Sequence, residues 1–171
     1  MTTLLTQEQQ VIEIGRLLVK HDLKLATAES CTGGLLASAM TAVPGASQWY
    51  EGGFVTYRLS AKQHLLDISQ DTLAQYGAVS ETVARAMAAQ TLNHSGAQVS
   101  VATTGIAGPD GDGTAAAVGT LWIAWAMTTK TQHWVNAELF EIHEARGPFR
   151  EAAVAHATEG LLARLLSQPL V

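Results

Sequence analysis

A single cysteine, Cys31, is all the chain contains, so no internal disulfide can form. No apolar run approaches the roughly 20 residues that a membrane-spanning helix needs. The N-terminus also lacks the basic-then-apolar order of a secretory signal. These absences predict a cytoplasmic protein with no membrane partner. Positive charge is scarce too: 10 Lys+Arg face 15 Asp+Glu, for a net charge of -5, and no basic run occurs. A field of that sign repels a polyphosphate backbone and argues against nucleic acid as a partner. It does not exclude one small anionic ligand, which needs only a few arginines and backbone N–H groups. Metal chemistry has little to build on, because the six histidines are scattered and His143-Glu144-Ala145-Arg146-Gly147 lacks the second histidine of a zinc helix. No metal site is expected, and no repeat, linker or low-complexity segment breaks the chain.

What is present suits one globular domain over residues 1–171. The composition is 47% hydrophobic and 15% charged, and a chain of this size can bury a core without staples. Thr6 and Gln9 have capping-box spacing ahead of an amphipathic stretch to about His21. Leu23–Ala28 reads as a buried strand leading into Glu29-Ser30-Cys31-Thr32-Gly33-Gly34 and then a helix over Leu35–Val43. Gly53–Tyr57 is strand-like, and Ser60–Leu66 is predicted to be a short helix. Ser69 and Ser80 are expected to cap helices over Gln70–Tyr76 and Glu81–Asn93. Val99–Thr103 reads as a strand entering the loop Gly105–Ala117. Val118–Met127 and His133–Glu141 form a hairpin pattern, and Pro148 opens a last helix to about Ser167. Strands and helices that alternate early, with a strand pair late, predict an α/β fold: a three-layer α/β/α sandwich on a mixed sheet.

Three polar segments follow predicted strands, where open α/β sheets collect ligands: Glu29–Gly34, Tyr57–Lys62 and Thr104–Gly113. The first places a hydroxyl at a strand-to-helix turn, where helix N–H groups can face an oxyanion or a phosphate. It departs from the G-x-S-x-G elbow at Ala28 and Thr32. Read alone, the turn fits equally well with Ser30 or Thr32 acting as a helix cap. Lys62 is a candidate base for Ser30 if it is desolvated, although a surface lysine and a rim tyrosine satisfy the same segment. The glycine-rich third segment matches neither G-x-G-x-x-G nor a phosphate-binding loop with its lysine. Cys31 ranks below Ser30 as a nucleophile, because a small cysteine beside a turn is more often packed than reactive. Trp122 and Trp125 read as packing residues.

Taken together, Thr27-Ala28-Glu29-Ser30-Cys31-Thr32-Gly33-Gly34, Gly53-Phe54-Val55-Thr56-Tyr57, Gly77-Ala78-Val79-Ser80, Thr104-Gly105-Ile106-Ala107-Gly108-Pro109-Asp110-Gly111 and Val118-Gly119-Thr120 resemble the CinA carboxy-terminal domain family over nearly the whole chain. The family's larger members carry an additional amino-terminal domain, so the chain looks like the free-standing form, which includes nicotinamide mononucleotide amidases. The resemblance implies hydrolysis of the carboxamide of a small phosphorylated pyridine nucleotide, with no cofactor. It implies Ser30 as nucleophile, Lys62 as base and Tyr57 in their hydrogen-bond network. Thr32, Gly33, Gly34, Thr104 and Gly105 would line the site, and Arg146 or Arg150 would hold the phosphate. A homodimer or higher homo-oligomer is expected. The sequence departs from the family at Arg58-Leu59, usually Ser-Asn, at Ala116-Ala117, usually Lys-Pro, and at Ala145, usually Asp. These changes carry a second reading: a paralogue that binds or senses a nucleotide without turning it over.

Overall fold

The computed structural model describes residues 5–167. Helix α1 spans Gln7–Lys20, and its start is closed by the expected reciprocal pair: Gln9 N–H donates to Thr6 Oγ1, and Thr6 N–H donates to the Gln9 side chain. Val11, Ile14, Leu17 and Leu18 recur on its buried face. Then follow β1 (Leu25–Glu29), α2 (Leu35–Thr41), a 3-10 turn at Ala46–Gln48 and β2 (Tyr50–Val55). Three helices come next: α3 (Leu59–Leu66), α4 (Gln70–Tyr76) and α5 (Glu81–Ser95). Ser69 and Ser80 cap the last two, accepting from Thr72 and Val83 N–H. Strands β3 (Val99–Gly105), β4 (Thr120–Thr128) and β5 (His133–Glu141) precede the long helix α6 (Arg146–Ser167).

The sheet order is β2-β1-β3-β4-β5. Strand β1 runs parallel to both β2 and β3, whereas β3, β4 and β5 pair antiparallel, so the sheet is mixed as expected. Alternation along the strands separates two cores. Val99, Val101, Leu121, Ile123, Trp125 and Met127 face α1, α2 and α6. Ala28, Ala102, Ala124 and Ala126 face α5 together with residues from α3 and α4. Large side chains fill the first layer. The second uses alanine so that α5 lies close to the strands, and Ser100 Oγ reaches the Ala88 carbonyl at 2.7 Å.

Several element ends lie one to three residues from the sequence reading, and those of β2 and α6 have identifiable physical reasons. Strand β2 spans Tyr50–Val55, so it begins three residues before Gly53 and ends two before Tyr57, with both Gly52 and Gly53 inside it. A Cβ on Gly53 would lie 2.5 Å from Thr27 Oγ1 and 2.7 Å from Tyr50 Oη, so this glycine makes room for a cross-strand hydroxyl pair. Helix α6 begins at Arg146, two residues before Pro148. The proline sits in the first turn, where its missing N–H costs nothing.

In α6, Gly160 lies flat against Trp125, whose ring nitrogen donates to the Ala157 carbonyl at 3.0 Å while the Arg164 guanidinium sits 3.8 Å above its ring. An added Cβ would collide with the indole. At a free helical position Gly→Ala gains up to about 1 kcal/mol; here overpacking wins. Gly160→Ala is expected to lose about 1 to 3 kcal/mol in a urea melt.

Candidate active site

Strands β1, β2 and β3 end on the same edge of the sheet. The chain leaves β1 toward β2 on one side, and the helices entering β3 carry it back to the other, which makes this edge a switch point. A cleft of about 600 Å3 opens there, lined among others by Ser30, Tyr57, Lys62, Thr104, Gly105 and Arg146. The three segments singled out in the sequence therefore share one site.

Ser30 follows β1 directly, and its N–H donates to the Thr103 carbonyl at 2.9 Å. Lys62, on the first turns of α3, extends beneath the cleft and is 1% exposed. Its Nζ donates to Ser30 Oγ at 2.9 Å and to the Thr56 carbonyl at 2.8 Å. Among the described residues no carboxylate pairs with this ammonium, and burial pushes its pKa down to about 8. A lysine so held is about one tenth neutral at pH 7. In that form its lone pair can take the Ser30 hydroxyl proton, the requirement for an oxygen nucleophile. The surface-lysine alternative is thereby removed.

The helix-cap alternative is also removed, because neither hydroxyl caps α2. The cap is Glu29, 1% exposed, whose carboxylate accepts from Gly34 and Leu36 N–H through one oxygen at 2.9 and 3.0 Å and from Ala37 N–H through the other at 2.8 Å. Sequence reasoning gave Glu29 no role, although an acidic residue closing an apolar strand just ahead of a helix is a usable signal. Thr32 is fully buried, with Oγ1 2.8 Å from Thr103 Oγ1. Gly33 and Gly34 have φ of +57° and +100°, values that favour glycine. Their N–H groups are occupied by the Ser30 carbonyl and by Glu29. Thr32, Gly33 and Gly34 thus shape the turn from behind and do not border the cleft.

The remaining candidates divide between cleft and support. Thr104 Oγ1 is bonded to the Ala78 carbonyl at 2.8 Å, and a Cβ on Gly105 would lie 2.7 Å from the Thr120 carbonyl. Tyr57 is 56% exposed, and its hydroxyl accepts from Arg146 Nη2 at 2.8 Å instead of joining Ser30 and Lys62. Arg146 Nη1 also donates to the Gly108 carbonyl at 3.0 Å, which fixes the guanidinium at the cleft. Arg150 is spent on the turn, donating to the Cys31 and Thr32 carbonyls at 3.2 and 2.8 Å. Cys31 is buried and its thiol is pushed up to about 12 by burial, so it holds no thiolate at neutral pH. Among the described residues no group of His, Cys, Asp or Glu could hold a metal ion, and no helix is long and apolar enough to cross a membrane.

The model of the CinA C-terminal domain matches residues 7–165. The chain belongs to that family. A nicotinamide-nucleotide amidohydrolase PncC of Enterobacter agglomerans is 50% identical over 140 residues, covering 78% of this chain and 85% of the relative. A protein of the same name from Pseudomonas putida is 40% identical over 149 residues, covering 87% and 91%. A CinA-like protein of Akkermansia muciniphila is 46% identical over 153 residues but much longer; the chain spans 36% of it, about a third of the length of such relatives. Among solved CinA-superfamily structures, one from Escherichia coli superposes with a TM-score of 0.86 at 35% identity, covering 96% of this chain and 94% of that one. A competence/damage inducible protein from Agrobacterium tumefaciens gives 0.87 at 36% identity, covering 98% and 100%.

Of the departures from the family pattern expected from the sequence, Arg58 and Leu59 lie at the mouth of the cleft, and Ala116, Ala117 and Ala145 do not border it. Arg58 and Leu59 are exposed and border the cleft, yet Lys62 Nζ finds its partners in Ser30 and Thr56. Ala116 lines a separate shallow groove, while Ala117 and Ala145 are exposed and contribute backbone carbonyls to Thr120 and Phe149 N–H.

Proposed function

We propose that the protein is an amidohydrolase acting on the carboxamide of nicotinamide mononucleotide or a close pyridine nucleotide. The observation that carries this reading is the buried Lys62 Nζ, 2.9 Å from Ser30 Oγ and with no carboxylate paired to it among the described residues. Ser30 attacks the carboxamide carbon as Lys62 takes its proton. The tetrahedral intermediate then collapses, Lys62 returns the proton to the departing ammonia, and water cleaves the acyl-serine to the acid. Cys31, the residue after the nucleophile, lines the cleft, and its N–H is assigned as a donor to the developing oxyanion. Two relatives named nicotinamide-nucleotide amidohydrolase, at 50% and 40% identity, support the choice of substrate. The test is ammonia release from nicotinamide mononucleotide by the purified protein; no release under conditions where the nucleotide binds would favour the non-catalytic module.

The same reading gives the two arginines different duties. Arg146 keeps donors free beyond Tyr57 and Gly108 and borders the cleft, so it receives the phosphate; Arg150 braces the turn. Arg146→Ala is expected to raise KM for the nucleotide about 10- to 100-fold, the loss of one charge-assisted contact, and to leave the phosphate-free riboside nearly unchanged. Arg150→Ala is expected to slow both compounds equally. Steady-state kinetics on the pair of substrates checks both, and equal effects of Arg146→Ala on the two would remove it from a phosphate role.

A further inference from the structure

We infer that Glu29 is the positioning residue of the nucleophile, holding the Ser30 turn in the register that Lys62 requires. The inference rests on the Ser30–Lys62 reading above and adds a residue to it. Two connections leave Glu29. Its side chain ties the turn to the first residues of α2 through three N–H groups. Its main-chain carbonyl accepts from Thr56 N–H at 2.7 Å, and the Thr56 carbonyl in turn receives Lys62 Nζ. Both halves of the pair are therefore referenced to one residue, Ser30 by direct succession and Lys62 through Thr56.

The carboxylate is suited to this work because it only accepts hydrogen bonds, and all three groups facing it are donors. A backbone running through Gly33 and Gly34 at positive φ has little stiffness of its own, so the turn depends on an external brace. Arg150 supplies one from the Cys31 and Thr32 carbonyls, and Glu29 supplies the other from the N–H side. Glu29→Gln keeps an oxygen for Gly34 and Leu36 but turns an NH2 group toward Ala37 N–H. Glu29→Ala removes all three acceptor contacts. A graded loss should follow, because displacement of a reacting group by about 1 Å costs about 100-fold in rate.

A small alkyl fluorophosphonate reads nucleophile placement without reference to the natural substrate. Ser30 Oγ bonds to phosphorus, fluoride leaves with the electron pair of the P–F bond, and the hydroxyl proton passes to Lys62. The expected result is labelling of wild type at Ser30, located by peptide mass, and its loss in Lys62→Met. Labelling should slow about 10-fold in Glu29→Gln and about 100-fold in Glu29→Ala. The kcat for nicotinamide mononucleotide should fall in parallel while KM stays within about threefold, as befits an interaction felt in the transition state. Gly160→Ala, a destabilised variant remote from the cleft, should label at the wild-type rate. If Glu29→Ala does not fold, Glu29→Gln carries the test. Folded Glu29 variants labelled within about twofold of wild type would overturn this inference alone. A wild-type protein left unlabelled would overturn the Ser30–Lys62 pair and this inference with it.

Discussion

Ser30→Ala is expected to abolish ammonia release from nicotinamide mononucleotide, by on the order of 10^4-fold or more in kcat, while nucleotide affinity stays within a few-fold. The two quantities separate because the hydroxyl is needed only where the acyl bond forms, whereas the cleft is built elsewhere. Thr104 and Gly105 come from the end of β3 and Arg146 from the start of α6, and none depends on the Ser30 side chain. The turn should also survive, since its bonds run through Glu29, Arg150 and the Ser30 backbone. Calorimetric titration beside an ammonia assay measures both numbers. Residual turnover in Ser30→Ala above about one hundredth of wild type would point to water as the nucleophile and remove the acyl-enzyme. A wild type that binds but does not turn over would revive the binding module, with Arg58 and Leu59 at the mouth as the first positions to revert.

How far the site could be read from the sequence depends on the range of each interaction. Caps at Thr6, Ser69 and Ser80 involve neighbours three residues away, and they occur where their spacing predicts. The order of elements is equally legible, and the mixed sheet follows from strands and helices that alternate early and a strand pair that comes late. The start of β2 was hidden because Gly52 ahead of Gly53 looks like a break, and only the cross-strand Thr27–Tyr50 pair explains Gly53, the second of the two glycines inside the strand. Lys62 could be nominated as a base by residue type. Its burial could not be read, because its partners Ser30 and Thr56 lie just after β1 and β2. Glu29 was missed for a related reason: its bonds to Gly34, Leu36 and Ala37 require the chain to fold back over its own strand end. Family resemblance grouped Tyr57 with Ser30 and Arg150 with the ligand. Geometry assigns the tyrosine hydroxyl to Arg146 and the second arginine to the turn, distinctions that no motif encodes.

Lys62→Met should remove the base and, in the same protein, change how stability responds to pH. The activity loss is expected to be about 10^3-fold, within the range of a positioned proton acceptor. In wild type the rate should rise with pH through about 8 as Lys62 loses its proton, and that limb should vanish in the variant. The stability effect follows from the same pKa. Burial lowers it from 10.5 to about 8, so between those values the unfolded chain binds the proton that the folded chain has released. Wild-type stability therefore gains from this group as pH rises through the window: the contribution is full above 10.5 and lost below about 8. The interval corresponds to about 3 kcal/mol. Methionine has the length and apolar character to occupy the same channel and has no proton to exchange. At pH 7 the variant is thus spared a buried ammonium but leaves the Thr56 carbonyl without its donor, two effects of opposite sign and similar size. The pH dependence is free of that offset. Urea melts at pH 7 and pH 10 should show the difference between the two proteins moving toward wild type by about 2 to 3 kcal/mol. Parallel stability curves for the two proteins would mean that Lys62 keeps its ordinary proton affinity in the folded chain, which would end its candidacy as the base.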